Sequence, residues 1–434
     1  MTSVDEPAAR RRATAAALIG TTLEWYDFGL YNQAAALVLA PVFFPAVSPA
    51  SGAIAAFATQ FVGFAARPLG AIVFGHVGDR FGRRAALVGT VTAMGIATTA
   101  IGLLPGYATI GLAAPLLLVL FRLVQGIAVG GEAPGAVIMA MEWAGPKRRG
   151  LFASLPTLGM PLALILATLA LRLTTGPGSP AWAWRIPFLL SVVLLAAALL
   201  IRLTVPETPG FAGVRREGAL RRRPVREAIR THPRAVVTSA LVRTAEQAPQ
   251  TLFTTFVLSY GTIALHLPRA RLLEFTLIAG LVSLLTIPLF AHLSDLWGRR
   301  RVVAAGIIAL ALYAFPYFAL LNRGTEGSVL IAIVLSLVIH DVMFGPQPAM
   351  IAERFPPAVR FSGAGLGSQA ASAFAGGPAP LIAASIFAAT GSSTGISWYL
   401  IGTAVVSMIA LVFLPPQARE MAVVRSGTMA GTGN

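Results

Sequence analysis

The chain has 434 residues, of which 56% are hydrophobic and only 12% charged, where soluble domains carry roughly a quarter charged residues. Its formal net charge of +16 would suit nucleic acid, but the basic residues gather in the termini and in short turns between apolar stretches. That is the distribution of a membrane chain rather than of a phosphate-binding face. Cysteine is absent, which excludes disulfides and thiolate metal sites, and the five histidines form no HExxH or other close pair, so no metal centre and no metal-dependent enzyme is expected.

Hydropathy and turn residues predict about twelve spans, each near the roughly 20 residues needed to cross the hydrocarbon core. They run over 14–40, 53–77, 85–104, 113–142, 150–173 and 186–205, then 236–260, 271–293, 301–321, 328–353, 361–389 and 395–414. Only helices satisfy their own backbone in lipid, so the predicted class is an all-α membrane protein of two six-helix bundles. The expected organisation is a first bundle over 1–205, a basic linker over 206–235, a second bundle over 236–416 and a disordered tail over 417–434. The Arg-rich turns, linker and termini fall on one side, and the positive-inside rule puts that side, with both termini, in the cytoplasm. The linker's arginines would orient it or hold it against anionic headgroups.

The first span holds GTTLEWYDFGLY, residues 20–31, with Glu24 and Asp27 where charge is costly. Glu24, Asp27 and Tyr31 share a helical face that is expected to line a cavity, with Asn32 following; an interfacial anchor beside Trp25 and Tyr26 is the other reading. In the second span Arg67 precedes Pro68 and is expected to serve a structural acid on helix one or eleven. The turn GHVGDRFGRR follows, from Gly75 to Arg84, and returns about half a chain later as AHLSDLWGRR, from Ala291 to Arg300. Glycines, an acid and arginines in this order describe a tight turn that latches neighbouring helices, or one that merely orients them. Asp79 is expected to complement the start of helix three, and Arg83 and Arg84 to reach Glu142 or backbone carbonyls of neighbouring helices.

Helix four reads FRLVQGIAVGGEAPGA over 121–136 and buries Arg122, Gln125 and Glu132. A permanently charged guanidinium there needs an acid or an anion, and an Arg122 to Asp27 pair that opens on protonation is the expectation. Gly126 with Gly130, and Gly131 with Gly135, have the spacing of close helix contacts. A second repeat, Glu142 with Arg149 and Glu353 with Arg360, again marks two equivalent halves. In helix seven Arg243, Glu246 and Gln250 share a face, either as a local ion pair or as binding groups, and Pro249 is a candidate break. Asp341, beside His340 in helix ten, either binds substrate or pairs within the bundle, and each histidine is read as structural.

The turn GHVGDRFGRR resembles motif A of the major facilitator superfamily. Further segments, GTTLEWYDFGLY, RLVQGIAVGGE, WRIPFLLS, VPETPGF and FGPQPAMIAERFPPAVRFSGAGLG, resemble its metabolite:proton symporter family across nearly the whole chain. The resemblance implies proton-coupled uptake of a small organic carboxylate or zwitterion by alternating access in a bacterial inner membrane. It implies no cofactor beyond the proton gradient, and no partner beyond substrate, protons and lipid, in a monomer. Proton coupling would fall to Asp27, Glu24, Glu132 and Arg122, and substrate to Tyr31, Asn32, Arg122, Gln125, Arg243, Glu246, Gln250 and Asp341. The cytoplasmic gate would comprise Gly75, Asp79, Arg80, Arg83, Arg84, Glu142, Arg149, Asp295, Arg299, Glu353 and Arg360. The chain departs from the family pattern at Ala133 and Pro134, where Trp-Gly-Gly is usual, at Thr157 in place of Gln, near Gln250 to Phe253 in place of Tyr, and at Gly29 and Asn32. A proton-driven exporter and a non-transporting membrane sensor are the alternatives; helix five carries Gly159 and Pro161 without the further glycines of an exporter signature.

Overall fold

The computed structural model describes residues 18–23, 25–31, 34, 39–45, 49–142, 144, 148–175, 178–204, 216 and 224–416. No strand occurs among them. The first helix, α1, is seen over 18–23 and 25–31; then come α2 (Pro49–Arg80), α3 (Arg83–Leu103), α4 (Ala113–Glu142), α5 (Arg149–Thr174) and α6 (Arg185–Thr204). In the second half α7 is a succession of Pro233–Val242, Thr244–Thr251, Leu252–Phe256 and Val257–Ile263. It is followed by α8 (Arg269–Trp297), α9 (Arg299–Leu321), α10 (Glu326–Ala352), α11 (Pro357–Thr390) and α12 (Thr394–Phe413).

Nine of these are long and apolar enough to cross a bilayer among the described residues, and Arg185–Leu200 is a shorter apolar helix. The helices that open the two halves carry buried or cavity-facing charge, Asp27 in α1 and Arg243 and Glu246 in α7, and these groups must be shielded by neighbouring helices rather than by lipid.

Packing follows the sequence repeat. In the first half α2 lies on α4, and α3 on α4 and α6; in the second α8 lies on α10, and α9 on α10 and α12. Across the halves α2 meets α11, and α5 meets α8. The glycine spacing of α4 does the predicted work. A Cβ on Gly126 or Gly130 would strike the backbone carbonyls of Gly63 and Arg67 on α2, so these backbones touch as small residues permit.

Gly82 and Gly298, in the two repeated turns, have φ of 119° and 92°, a region that a side chain strains. The polar stretch between the halves is not wholly irregular: Pro224–Thr231 is a short helix, with Pro224 and Ala228 buried, that packs on α2 and α11. Pro249 does not break α7. The helix continues through it and widens into a π turn over Leu252–Phe256, and a second π turn, Ser372–Gly376, sits in α11. Such turns re-aim side chains where ligands act.

Replacing Gly130 by valine would force α2 and α4 apart and cost about 1–3 kcal/mol, as overpacking does. A lowered melting temperature in detergent, with less monodisperse protein, is the expected result.

Candidate functional site

A cavity lies between the halves, with walls from α1, α2, α4, α5, α7, α10 and α11. Its polar lining includes Arg67, Thr157, Arg243, Gln247, Gln250 and Ser372. Arg67 comes from the first half and Arg243 from the second, so two cations from opposite bundles face one space. The Arg67 guanidinium stands 4.5 Å from the ring centre of Phe28 and 4.2 Å from that of Phe64, and its Nη1 donates to Ser372 Oγ at 3.4 Å. Aromatic faces hold a guanidinium without neutralising it. Ser372 Oγ donates in turn to Gln247 Oε1 at 2.8 Å, and Gln247 Nε2 donates to Glu246 Oε1 at 2.8 Å. A continuous polar chain therefore joins α2, α11 and α7 across the midplane.

A second, smaller cavity lies on the other side of α1. Asp27 and Glu132 both line it, with Thr90 and Ser191. Asp27 is buried, and Ser191 Oγ donates to its Oδ1 at 2.6 Å, with Thr98 as another hydroxyl neighbour. Thr90 Oγ1 donates to Glu132 Oε2 at 2.6 Å. At about 100° per residue, Trp25 and Asp27 project about 200° apart, on opposite faces of α1. Thr21 and Trp25 accordingly line the central cavity, while Gly20, Leu23 and Asp27 line the smaller one. One helix is the partition between an arginine-lined space and a carboxylate-lined space.

The expected Arg122 to Asp27 ion pair is not formed. Arg122 is fully buried, its guanidinium 3.9 Å from the Tyr31 ring centre and 4.6 Å from that of Phe28, and its Nη1 donates to Gln125 Oε1 at 2.9 Å. Gln125 Nε2 donates to Thr98 Oγ1 at 2.7 Å, and Thr98 Oγ1 donates to the Met94 carbonyl at 3.0 Å. Tyr31, whose hydroxyl meets Thr59 Oγ1 at 2.6 Å, belongs to this buried cluster and not to the central cavity's wall. Glu24 and Asn32 lie outside the described residues.

Of the groups expected on α7 and α10, Arg243 and Gln250 line the cavity, with Gln250 turned toward Met160 of α5. Glu246 and Asp341 stand behind them, fully enclosed. Arg67, Gln247 and Ser372 are cavity groups that sequence reasoning did not assign; Arg67 alone had a signal, a lone arginine in an apolar helix. The departures at Pro134 and Thr157 do face the central cavity.

At the Arg-rich end the halves are tied by two equivalent clusters. Asp79 accepts from the Ser362 N–H at 2.8 Å and the Phe361 N–H at 3.3 Å, so it caps the first turn of α11 rather than α3. Arg83 donates to Asp79 at 2.6 Å and to the Pro357 carbonyl at 2.8 Å, and Gly75 and Gly78 give Ser362 and Phe361 room. In the mirror cluster Asp295 accepts from the Gly150 and Leu151 N–H groups at 2.9 and 3.0 Å, at the start of the helix that Arg149 opens. Arg299 holds Asp295 at 2.9 Å and grips Glu353 with two bonds of 2.8 Å. Glu142 pairs with Arg360 at 3.0 Å and not with Arg83 or Arg84. Arg84 donates to the Leu203 carbonyl, and Arg80 is exposed beside Phe81.

Residues 13–380 match the family model described as Major Facilitator Superfamily. The chain is 42% identical over 417 residues to the shikimate transporter of Escherichia coli (strain K12), covering 94% of this chain and 95% of that one. It is 33% identical over 423 residues to a proline/betaine transporter of Salmonella typhimurium, covering 94% of this chain and 84% of that one. Its fold matches the proton:xylose symporter XylE bound to 6-bromo-6-deoxy-D-glucose with a TM-score of 0.77 at 17% identity, over 94% and 97% of the two chains.

Exchanging Asp79 or Asp295 for asparagine removes a charge-assisted bond worth about 1.5–3 kcal/mol to the contact between the halves. Because the chain has no cysteine, a single Ile351→Cys in the cavity wall reports the effect. Its labelling by a membrane-impermeant maleimide applied from the Arg-rich side is expected to rise about tenfold.

Proposed function

The chain belongs to the Major Facilitator Superfamily, in its metabolite:proton symporter family, and is a multi-pass membrane transporter rather than an enzyme; from that premise we propose that it couples inward proton flow to uptake of a small organic carboxylate or carboxylate-bearing zwitterion. The observation that carries this reading is the partition made by α1: Asp27 on one face, and on the other Trp25 in a cavity shared by Arg67 and Arg243.

A carboxylate entering the central cavity meets one cation from each half. Guanidinium groups match carboxylate geometry, and binding both would draw α2 and α7 together over the substrate. Asp27 is met by hydroxyls, and among the described residues no cation pairs with it. Such a buried acid is the kind that transporters use to carry protons. A proton on Asp27 changes its bond with Ser191 on α6 and lets α1 shift. The same movement carries Trp25 and Phe28, and Phe28 touches both Arg67 and Arg122. Proton occupancy and the substrate's cationic seat are thereby linked through one rigid helix. Glu132, in the same small cavity, gives the proton a second acceptor.

The two latches set the direction of access. With Asp79 and Asp295 capping helices of the opposite half, the Arg-rich end is shut, and the positive-inside rule makes that end cytoplasmic, with both termini, in a bacterial inner membrane. The state drawn here would accept substrate from outside, and rocking of the halves would break both caps together. Shikimate, the substrate named for a close relative, is a small carboxylate of the required charge and serves as the first probe.

In proteoliposomes with acid outside, radiolabelled shikimate is expected to accumulate against its gradient. Asp27→Asn should retain exchange of internal for external shikimate but lose accumulation. Arg243→Gln should raise KM about tenfold or more, the value of a charged hydrogen bond. Accumulation undiminished in Asp27→Asn would refute the role of that residue, and expulsion of shikimate under the same gradient would reverse the direction.

A further inference from the structure

Behind the Arg243 side of the central cavity lies a group of charges that the scheme above does not use. Glu246 Oε2 accepts from Arg243 Nε at 2.8 Å, and Gln247 Nε2 reaches both carboxylate oxygens, at 2.8 and 3.0 Å. The other side of Glu246 faces His340 of α10, with Nε2 of the ring 3.5 Å from Oε1. The second ring nitrogen, Nδ1, is 3.0 Å from Asp341 Oδ1, and Asp341 Oδ2 accepts from Thr286 of α8 at 2.5 Å. Glu246, His340 and Asp341 are all fully enclosed, and the Phe344 ring covers the imidazole at 5.0 Å.

An imidazole between two carboxylates has a preferred protonation state on geometric grounds alone. Neutral histidine has one N–H and one lone pair, so one of its nitrogens would present a lone pair to a carboxylate oxygen. Only the doubly protonated ring presents an N–H to both, to Asp341 at 3.0 Å and to Glu246 across 3.5 Å, where Nε2 makes a charge contact without a hydrogen bond. With that proton the cluster holds two cations, Arg243 and His340, against two anions, Glu246 and Asp341. Without it Arg243 is the sole cation among these groups, and Glu246 holds it fast.

We propose that His340, seated between Glu246 and Asp341, is a second proton-binding site, built into the C-terminal half, whose proton releases Arg243 to an anionic substrate. The proton adds to a ring nitrogen and no other bond changes. When it is present, Glu246 is shared by His340, Gln247 and Arg243, and an incoming carboxylate can take the cavity-facing side of Arg243. When it is absent, the same carboxylate would add a third negative charge to a cluster already one charge in deficit, at a depth where solvent screens little. Proton and anion therefore favour each other's binding, and by linkage each raises the other's affinity by the same factor. The groups that face the cluster are Arg243, Glu246 and Gln247 from α7, His340, Asp341 and Phe344 from α10, and Thr286 from α8. Ser372 of α11 connects it through Gln247 to Arg67 in the other half. The site is separate from Asp27, so its pH dependence survives when Asp27 cannot titrate.

This inference rests on the reading of Arg243 as the substrate's cationic partner, and the experiment separates the two. Equilibrium binding of radiolabelled shikimate to the purified full chain in detergent is measured at about pH 6 and about pH 10, the upper value set well above the ordinary histidine range so that a proton held between two carboxylates is lost there. Asp27→Asn is expected to lose about fivefold or more in affinity at the higher pH, whereas Asp27→Asn with His340→Gln is expected to bind equally at both. Undiminished pH dependence in that double variant overturns the proposal. If wild type binds no shikimate at either pH, the substrate reading fails instead, and the proton site is decided without ligand. Nitrogen-15 spectra of histidine-labelled protein then follow the His340 imidazole, identified by its loss in His340→Gln. A one-proton change between the two pH values supports the site, and an unchanged ring overturns it.

Discussion

A charge carried into the interior of a bilayer must be paired, hydrogen-bonded or given water, and that constraint organises this molecule. Asp27, Arg67, Arg122, Glu246 and Asp341 are buried among the helices and Arg243 faces the central cavity, so none is left to lipid. The charges on α1 and α7 are shielded by neighbouring helices. Close glycine contacts between α2 and α4 and the aromatic cage of Phe28 and Phe64 supply the shielding around Arg67 and Arg122. The polar side chains then meet each other across helix boundaries, which is how Arg67 comes to touch Ser372 of the other half.

The same constraint explains why α1 has two working faces. Its central-cavity face bears Thr21 and Trp25 and its opposite face bears Asp27, so a movement of one helix alters both compartments. At the Arg-rich end, different chemistry does the joining. Two carboxylates, Asp79 and Asp295, each cap a helix of the opposite half, and Arg83 and Arg299 hold those carboxylates in place. The clusters are copies of one turn with different ion pairs, Arg299 gripping Glu353 of its own half on one side and Glu142 meeting Arg360 of the opposite half on the other. A rocking motion would open them in concert.

Much of this was legible in the residues. Apolar stretches and basic turns located the helices, and the paired GHVGDRFGRR and AHLSDLWGRR segments announced two equivalent halves. The repeat did not say which copy touches which. Of the two partners the residues offered Arg83 and Arg84, backbone carbonyls are the ones met, at Pro357 and Leu203, whereas packing of the halves brings Glu142 to Arg360. Helical spacing placed Glu24, Asp27 and Tyr31 on one face, but a face has no direction until its neighbours are known. Asp27 turned out to look toward α6 and Tyr31 toward Arg122. Pro249 read as a break because proline lacks the N–H that bonds four residues back, whereas the helix runs on through it and a π turn follows over Leu252–Phe256. His340 read as structural beside Asp341, because its second carboxylate, Glu246, comes from another helix and only the fold brings it near.

The central claim is that proton and carboxylate travel inward together. It is tested most directly by the external pH of proteoliposomes that start with no gradient. Adding shikimate outside should make the medium more alkaline as protons enter with it, and a protonophore should abolish the change. A medium that stays constant while labelled shikimate enters, or that turns acid, would contradict the account.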